Sequence, residues 1–273
     1  MVLDVQVWLS AARTSVALLF LVYSSWKDNQ SREVSNKVWM LFAPLAFILT
    51  FTEIYIFDQP MLLFYGVCVG LTSAFAMIIF YAGGFGGADA KALMCLALAL
   101  PFYPQPLLTP LSGEPSLISQ LAFPITVFTN AVLFAAATAA YLFLYNIVSH
   151  KASRKTLFEG EHTTVSIAKK TLVLMTGYKM PIEKLREKWH IYPLEDIEQN
   201  SQGTVKRKLL LMPKDEGRNE IVNRLSQAAD KGIIQNKVWA TPGLPMLSFI
   251  AVGLVVALVF GDVVWLFVKW ILT

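Results

Sequence analysis

The sequence predicts an all-α polytopic membrane protein of about six transmembrane helices, with a small α+β cytoplasmic domain inserted before the last one. Three observations carry this expectation. The 273 residues are 55% hydrophobic and only 15% charged, with a mean hydropathy of +0.53, whereas soluble chains average roughly a quarter charged. Apolar runs long enough to cross a bilayer core recur along the chain. Finally, 17 of the 23 Lys/Arg and 11 of the 19 Asp/Glu fall within residues 149–241, a net of +6.

The six spans read as 5–26, 38–57, 61–82, 90–108, 121–148 and 243–271. No basic region precedes the first and no small-residue cleavage site ends it, so it reads as a span rather than a cleaved signal peptide. The second and third are joined only by "DQP" (58–60), which makes a tight helical hairpin. The fourth runs into "PFYPQPLLTPLSGEPSLISQ" (101–120), whose five prolines forbid regular helix and make it a loop. Between the fifth and sixth spans, "TVKRKLLLMP" reads as a strand and "EIVNRLSQAADKG" as an amphipathic helix ended by Gly232. The expected domains are therefore 1–148 (membrane, spans one to five), 149–241 (soluble) and 242–273 (the last helix).

Lysine and arginine bias sets the expected orientation. With the N-terminus outside, the inner loops carry Lys27, Arg32 and Lys37 and the whole 149–241 segment, while the outer loops 58–60 and 102–120 contain no Lys or Arg. Trp26, Trp39, Tyr81 and Trp239 read as anchors at the inner face, Tyr103 and Trp270 at the outer one. "NKVW" occurs at 36–39 and again at 236–239, each reading as a Lys–Trp interface anchor ahead of a span. Arg13 reads as snorkelling to the outer face, and Glu53, Asp58 and Asp262 as solvated helix ends.

Little in the chain suggests metal or nucleophile chemistry. Cys68 and Cys95 lie in apolar stretches without a neighbour at metal spacing, and His150, His162 and His190 read as solvated or structural. No cofactor, metal or nucleic-acid partner is expected. Two carboxylates stand out instead. Asp28 ends the first span within "SSWKDNQSREVSNKVW" (24–39), and Asp89 opens the fourth within "GGFGGADAK" (83–91). The topology puts both at one depth on the inner side. Paired carboxylates share a proton, so one can activate a water while the other donates to the substrate. Taken alone, the glycine-rich turn fits an acid that merely caps the next helix.

The two acid contexts together resemble the type IV prepilin and archaeal preflagellin peptidases, membrane aspartyl peptidases of the GxGD type. Asp28, Arg32, Val34, Ser35 and Asn36 stand where that family has D-x-x-x-R-x-I-P-N, with valine for isoleucine and serine for proline. Gly86, Gly87, Ala88 and Asp89 stand at its G-x-hydrophobic-D turn, and Ala88 points to the archaeal variants. "FEGEHTTVSIAKK", "PLEDIE" and "KVWATPGLPMLSFIAVGL" extend the likeness over most of the chain.

The resemblance implies Asp28 and Asp89 as catalytic residues, with Arg32, Asn36, Gly86, Gly87 and Ala88 shaping the site. It also implies basic leader peptides of preflagellins or prepilins as partners. The bacterial members' Cys-x-x-Cys pairs are absent, so N-methyltransferase activity is not expected. Two alternatives stay open at this point: a presenilin- or signal-peptide-peptidase-like protease, and a cation transporter using the same carboxylates.

Overall fold

A computed structural model describes residues 2–153, 157–158, 162, 165–199, 205–210, 217–241, 243 and 245–272. The chain divides into two compact units, Met1–Ala135 with Pro245–Thr273, and Ala136–Leu244. Along the chain, α1 (Val2–Ser31), α2 (Asn36–Phe57), α3 (Met61–Tyr81), α4 (Gly87–Ala99) and α5 (Leu117–Leu121) precede α6 (Phe123–Ser153). Then come α7 (Ile167–Thr176), β1 (Tyr178–Pro181), α8 (Ile182–Glu187), β2 (Tyr192–Pro193), β3 (Glu195–Gln199), β4 (Val205–Leu209), α9 (Arg218–Asp230) and β5 (Lys237–Thr241). The chain closes with α10 (Met246–Val259) and α11 (Val263–Leu272).

Among the described residues four helices, α1, α2, α3 and α6, are long and apolar enough to cross a membrane, and α10 with α11 makes a fifth candidate bent by 61°. The expected fourth span, 90–108, is the main departure. It shortens to α4, whose 13 residues rise about 20 Å, well under the roughly 30 Å of a hydrocarbon core. Leu100 leaves helical geometry and Pro101 cannot continue the ladder. The bend in the last span falls at Gly261, whose φ of 85° suits glycine alone.

The first unit's core gathers around α4. Ala90, Ala92, Leu93, Leu96, Ala99 and Leu100 are buried against Leu21 of α1, Phe42 of α2 and Leu254 of α10. A helix that stops inside apolar packing leaves its last carbonyls without partners, and side chains from three neighbours supply them. Arg13 Nη1 and Thr50 Oγ1 donate to the Ala99 carbonyl at 3.3 and 2.8 Å. Tyr65 donates to Leu98 O at 3.1 Å, and the Cys68 thiol to Pro101 O.

Arg13 therefore does not snorkel and Glu53 is no solvated end. Each is almost fully buried, and they pair at 2.6 Å, with Ser10 donating to the same carboxylate. Asp262 is buried as well, accepting from Ser116 at 2.9 Å and from the Trp265 N–H at 2.9 Å. Asp58 is exposed at the end of α2, as expected. Trp26, Tyr81 and Trp270 are exposed and fit interface anchors, but Trp39 and Tyr103 are buried in the core, where Tyr103 donates to Leu258 O.

The second unit is α+β. Sheet order β1-β5-β2 is antiparallel throughout, and β3 pairs with β4. The second "NKVW" is thus mostly strand β5, with Trp239 buried and stacked on Phe158, not a membrane anchor. The expected strand and helix form β4 and α9, and Gly232 (φ 68°) follows the helix end; residues 204 and 211–213 of the strand-like stretch lie outside the described residues. Of the three histidines, His162 is structural. Its Nε2 meets Glu195 at 3.1 Å, while the same carboxylate takes Arg207 and the Trp239 N–H. Burial pushes the Glu195 carboxyl up, and these three partners more than offset it, leaving it below the usual range.

Removing one partner of a buried pair strands the other. Arg13→Met should cost roughly 3 kcal/mol or more, and adding Glu53→Leu should recover part of that loss. Thermal unfolding of the detergent-solubilised variants tests this; a double variant less stable than Arg13→Met would refute the pairing as the cause.

Candidate functional site

The proposed acid pair is assembled from two helix ends. Helix α1 stays helical through Asp28 to Ser31, so Asp28 is held on a rigid turn rather than in a loop. Arg32 then turns the chain, with φ of 52° and its N–H on the Asp28 carbonyl at 2.8 Å. That left-handed backbone costs a non-glycine residue about 1 kcal/mol. The Ser35 hydroxyl receives the Lys37 N–H to start α2.

The second acid is delivered by the glycine-rich turn. Gly83 has φ of 78°, and the bonds Gly83 N–H to Phe80 O and Gly84 N–H to Ile79 O close α3 with the two-bond left-handed cap that glycine permits. Phe85 is buried, edge-on to Phe128 with centroids 5.6 Å apart, and pins the turn. The Gly86 N–H donates to Asp89 Oδ2 at 2.9 Å. A Cβ on Gly86 would stand 3.2 Å from that oxygen, so a side chain there would press on the carboxylate. Gly87 has room for a methyl group, its nearest neighbour being 3.8 Å away. Capping and acid chemistry are thus compatible readings of Asp89, because the cap bond engages only one of its two oxygens.

Asp89 is half-buried in the first turn of α4, and burial pushes its carboxyl up to about 6. The Gly86 N–H opposes that rise, the charge of Asp28 adds to it, and Arg32 and the Leu247 N–H of α10 oppose it. The two acids are therefore close enough to act on one another. Arg32 acts electrostatically on both.

Beside them lies an open cavity of about 700 Å³ lined by Tyr23, Lys27, Arg32, Glu33, Asn36 and Ala88, among others. Lys27 and Ala88 are the residues immediately before the two acids, so the expected site residues Arg32, Asn36 and Ala88 converge on one opening. Asn36 also accepts a hydrogen bond from Lys91 Nζ at 2.7 Å, tying the start of α2 to α4. Among the described residues, no group of three or more His, Cys, Asp and Glu is arranged to hold a metal.

Sequence reasoning missed Phe85, Lys91 and the first turn of α10. Phe85 had a visible signal, an aromatic between two glycine pairs, and Lys91 lies two residues past the acid. Nothing in the sequence joined residue 247 to residue 89.

Residues 15–143 match the family model for the type IV leader peptidase family, and 169–263 match that for the archaeal peptidase A24 C-terminus, type II. The chain is 23% identical to the preflagellin peptidase of Methanococcus maripaludis over 256 residues, 90% of this chain and 94% of that protein. It is 26% identical to that of Methanococcus voltae over 253 residues, 91% and 94% of the two chains. With that of Methanocaldococcus jannaschii it shares 28% over 167 residues, 59% and 71%.

The raised Asp89 carboxyl has a stability consequence. The folded chain holds that proton up to about pH 6, whereas an unfolded Asp releases it near 4. Its contribution is therefore full below about pH 4 and lost as pH rises through about 6. Asp89→Asn should raise the melting temperature at pH 7, with the gain vanishing below about pH 4. Equal melting temperatures at pH 7 would mean that the carboxyl is not desolvated.

Proposed function

Because this chain belongs to the type IV leader peptidase family, we propose that it is a membrane aspartyl endopeptidase that removes basic leader peptides from preflagellin or type IV prepilin precursors. The observation that carries this reading is Asp89, which burial keeps protonated to about pH 6, with the charge of Asp28 adding to the rise. The preflagellin peptidases that share most of this chain's length support the choice of substrate.

In the proposed cycle Asp28 is ionised and Asp89 protonated. Asp28 takes a proton from a bound water as the water oxygen attacks the scissile carbonyl, and Asp89 gives its proton to the carbonyl oxygen. Collapse of the tetrahedral intermediate breaks the C–N bond as the proton on Asp28 passes to the leaving amine and a hydroxyl of the intermediate returns its proton to Asp89, which leaves a carboxylic acid and restores both acids. The pair titrates as a unit, so its two apparent values belong to both acids. Arg32 limits how far Asp89 rises, Asn36 with Lys91 fixes α2 against α4, and Gly86, Gly87 and Ala88 allow a substrate strand to approach the acid.

The lysine and arginine distribution supports a cytoplasmic active site, an outside N-terminus and a cytoplasmic soluble domain over 149–241, between the membrane segments 1–148 and 242–273. Cys68 and Cys95 are the chain's only cysteines and both are buried. The bacterial members' Cys-x-x-Cys pairs have no counterpart, and the reading is of a peptidase without N-methyltransferase activity.

The test is cleavage of a leader-bearing precursor by purified protein in lipid. Asp28→Asn and Asp89→Asn should each lose at least about 10²-fold in rate, the scale of a lost general acid or base; near-normal cleavage by either variant would exclude that acid. The cut should fall before the precursor's apolar helix, whereas a cut inside it would favour a presenilin-like protease, and no cut a transporter. Arg32→Gln should move the alkaline limb of the pH–rate profile upward, because it removes a charge that favours ionised Asp89. The mass of the product's new N-terminus should show no added methyl group.

A further inference from the structure

The first turn of α10 reaches the helix turn that carries Asp28 and also acts on Asp89, by different atoms. Ser248 Oγ accepts a hydrogen bond from Asn29 Nδ2 at 2.8 Å and lies 2.8 Å from Ser25 Oγ. Ser25 and Asn29 are four residues apart, so they share one face of α1 and bracket Asp28. The neighbouring Leu247 is fully buried in one cluster with Ala90, the residue after Asp89, and its backbone N–H favours the ionised form of Asp89. Pro245 precedes the helix without a side-chain cap, and the Ser248 N–H turns back onto the Pro245 carbonyl at 2.9 Å, which leaves the Leu247 N–H, at the positive end of α10, available to a carboxylate.

We propose that Ser248 is a positioning residue of the two-acid site: by bridging Ser25 and Asn29 it registers the first turn of α10 against α1 and keeps the Leu247 N–H on Asp89. The proposal rests on the reading of Asp28 and Asp89 as the catalytic pair. It adds a third helix to that site. Among the described residues the charged groups that act on Asp89 are Asp28, near the end of α1, and Arg32, just after it. Lys91, on α4 itself, is engaged with Asn36. The turn at 82–88 and residues 246–249 carry no charge, so α10 acts on Asp89 through its backbone alone.

Losing the bridge frees the Leu247 N–H, which favours ionised Asp89, so Asp89 keeps its proton to higher pH. Steady-state cleavage by the full chain in lipid nanodiscs, over pH 4–9 with a leader-bearing precursor, tests this. Ser248→Ala should move the alkaline limb upward and lower kcat by about tenfold to hundredfold, the scale of a small misplacement. KM should change little, since Ser248 faces α1 rather than the cavity. Ser248→Thr, which keeps the hydroxyl, should restore the limb. Asn29→Ala should shift it the same way, and the double variant should shift it no further than either single one.

An unmoved alkaline limb in both Ser248→Ala and Asn29→Ala would overturn the proposal even if the rates fell, since a merely structural serine lowers rate without retuning the acid. Should Ser248→Ala fail to fold, Asn29→Ala, exposed and outside the core, decides alone. Asp28→Asn and Asp89→Asn run alongside: if they stay inactive while the limb is unmoved, only the positioning role fails. If either cleaves normally, the two-acid reading fails and takes this proposal with it.

Discussion

A helix that ends inside an apolar bundle has nowhere to send its last carbonyls, and that constraint organises the first unit of this protein. Helix α4 stops at Ala99, enclosed by α1, α2, α3 and α10. An unsatisfied carbonyl in an apolar interior costs several kcal/mol. Arg13, Thr50, Tyr65 and Cys68 answer for Ala99, Leu98 and Pro101. A buried guanidinium then needs its own counter-charge, which brings Glu53 and, behind it, Ser10. One short helix thus accounts for a polar group of six side chains on three elements.

The opposite end of α4 is subject to the same electrostatics with the sign reversed. A carboxylate suits a helix N-terminus and a guanidinium a C-terminus, and α4 has Asp89 at one end and Arg13 at the other. Because Arg13 and its partners hold the C-terminal end, Asp89 cannot relax outward to full hydration by sliding the helix. Its environment is then set by what surrounds the first turn: the Gly86 and Leu247 N–H groups and Arg32, which favour its charge, and burial with Asp28, which oppose it. Burial prevails, and the carboxyl remains protonated well beyond its ordinary range. A proton donor at the membrane edge is what the proposed peptidase chemistry requires.

How much of this was legible depended on separation along the chain. Asp28, Arg32 and Asn36 lie within nine residues, and Gly86 to Asp89 within four, so local spacing exposed each acid's context. The Gly83–Gly84 turn was legible for the same reason, since a left-handed helix end is a local requirement. Lys91 on Asn36, Phe85 on Phe128 and the Leu247 N–H at Asp89 join residues 43 or more positions apart, and nothing in a residue's own neighbourhood announces such a partner. The two copies of "NKVW" make the point in one motif. Asn36–Trp39 begins a helix, because it opens the 22 apolar-rich residues of α2. Within Asn236–Trp239, the residues from Lys237 onward join a strand, because β1 and β2 flank them.

The amino-acid sequence by itself determined the membrane class, the helical hairpin of α2 and α3, the proline-rich break after α4, the mixed second unit and the two acids with their local contexts. Each follows from composition, period or spacing over fewer than about thirty residues. The tertiary structure alone decided that α4 falls short of a span, that Arg13 and Glu53 are buried together, that Trp39, Tyr103 and Trp239 lie in cores, and that α10 closes on the acids. The physical reason is common to all of these. A charge or an aromatic ring is equally compatible with solvent, interface or interior until its partner is present, and those partners are supplied by remote parts of the chain.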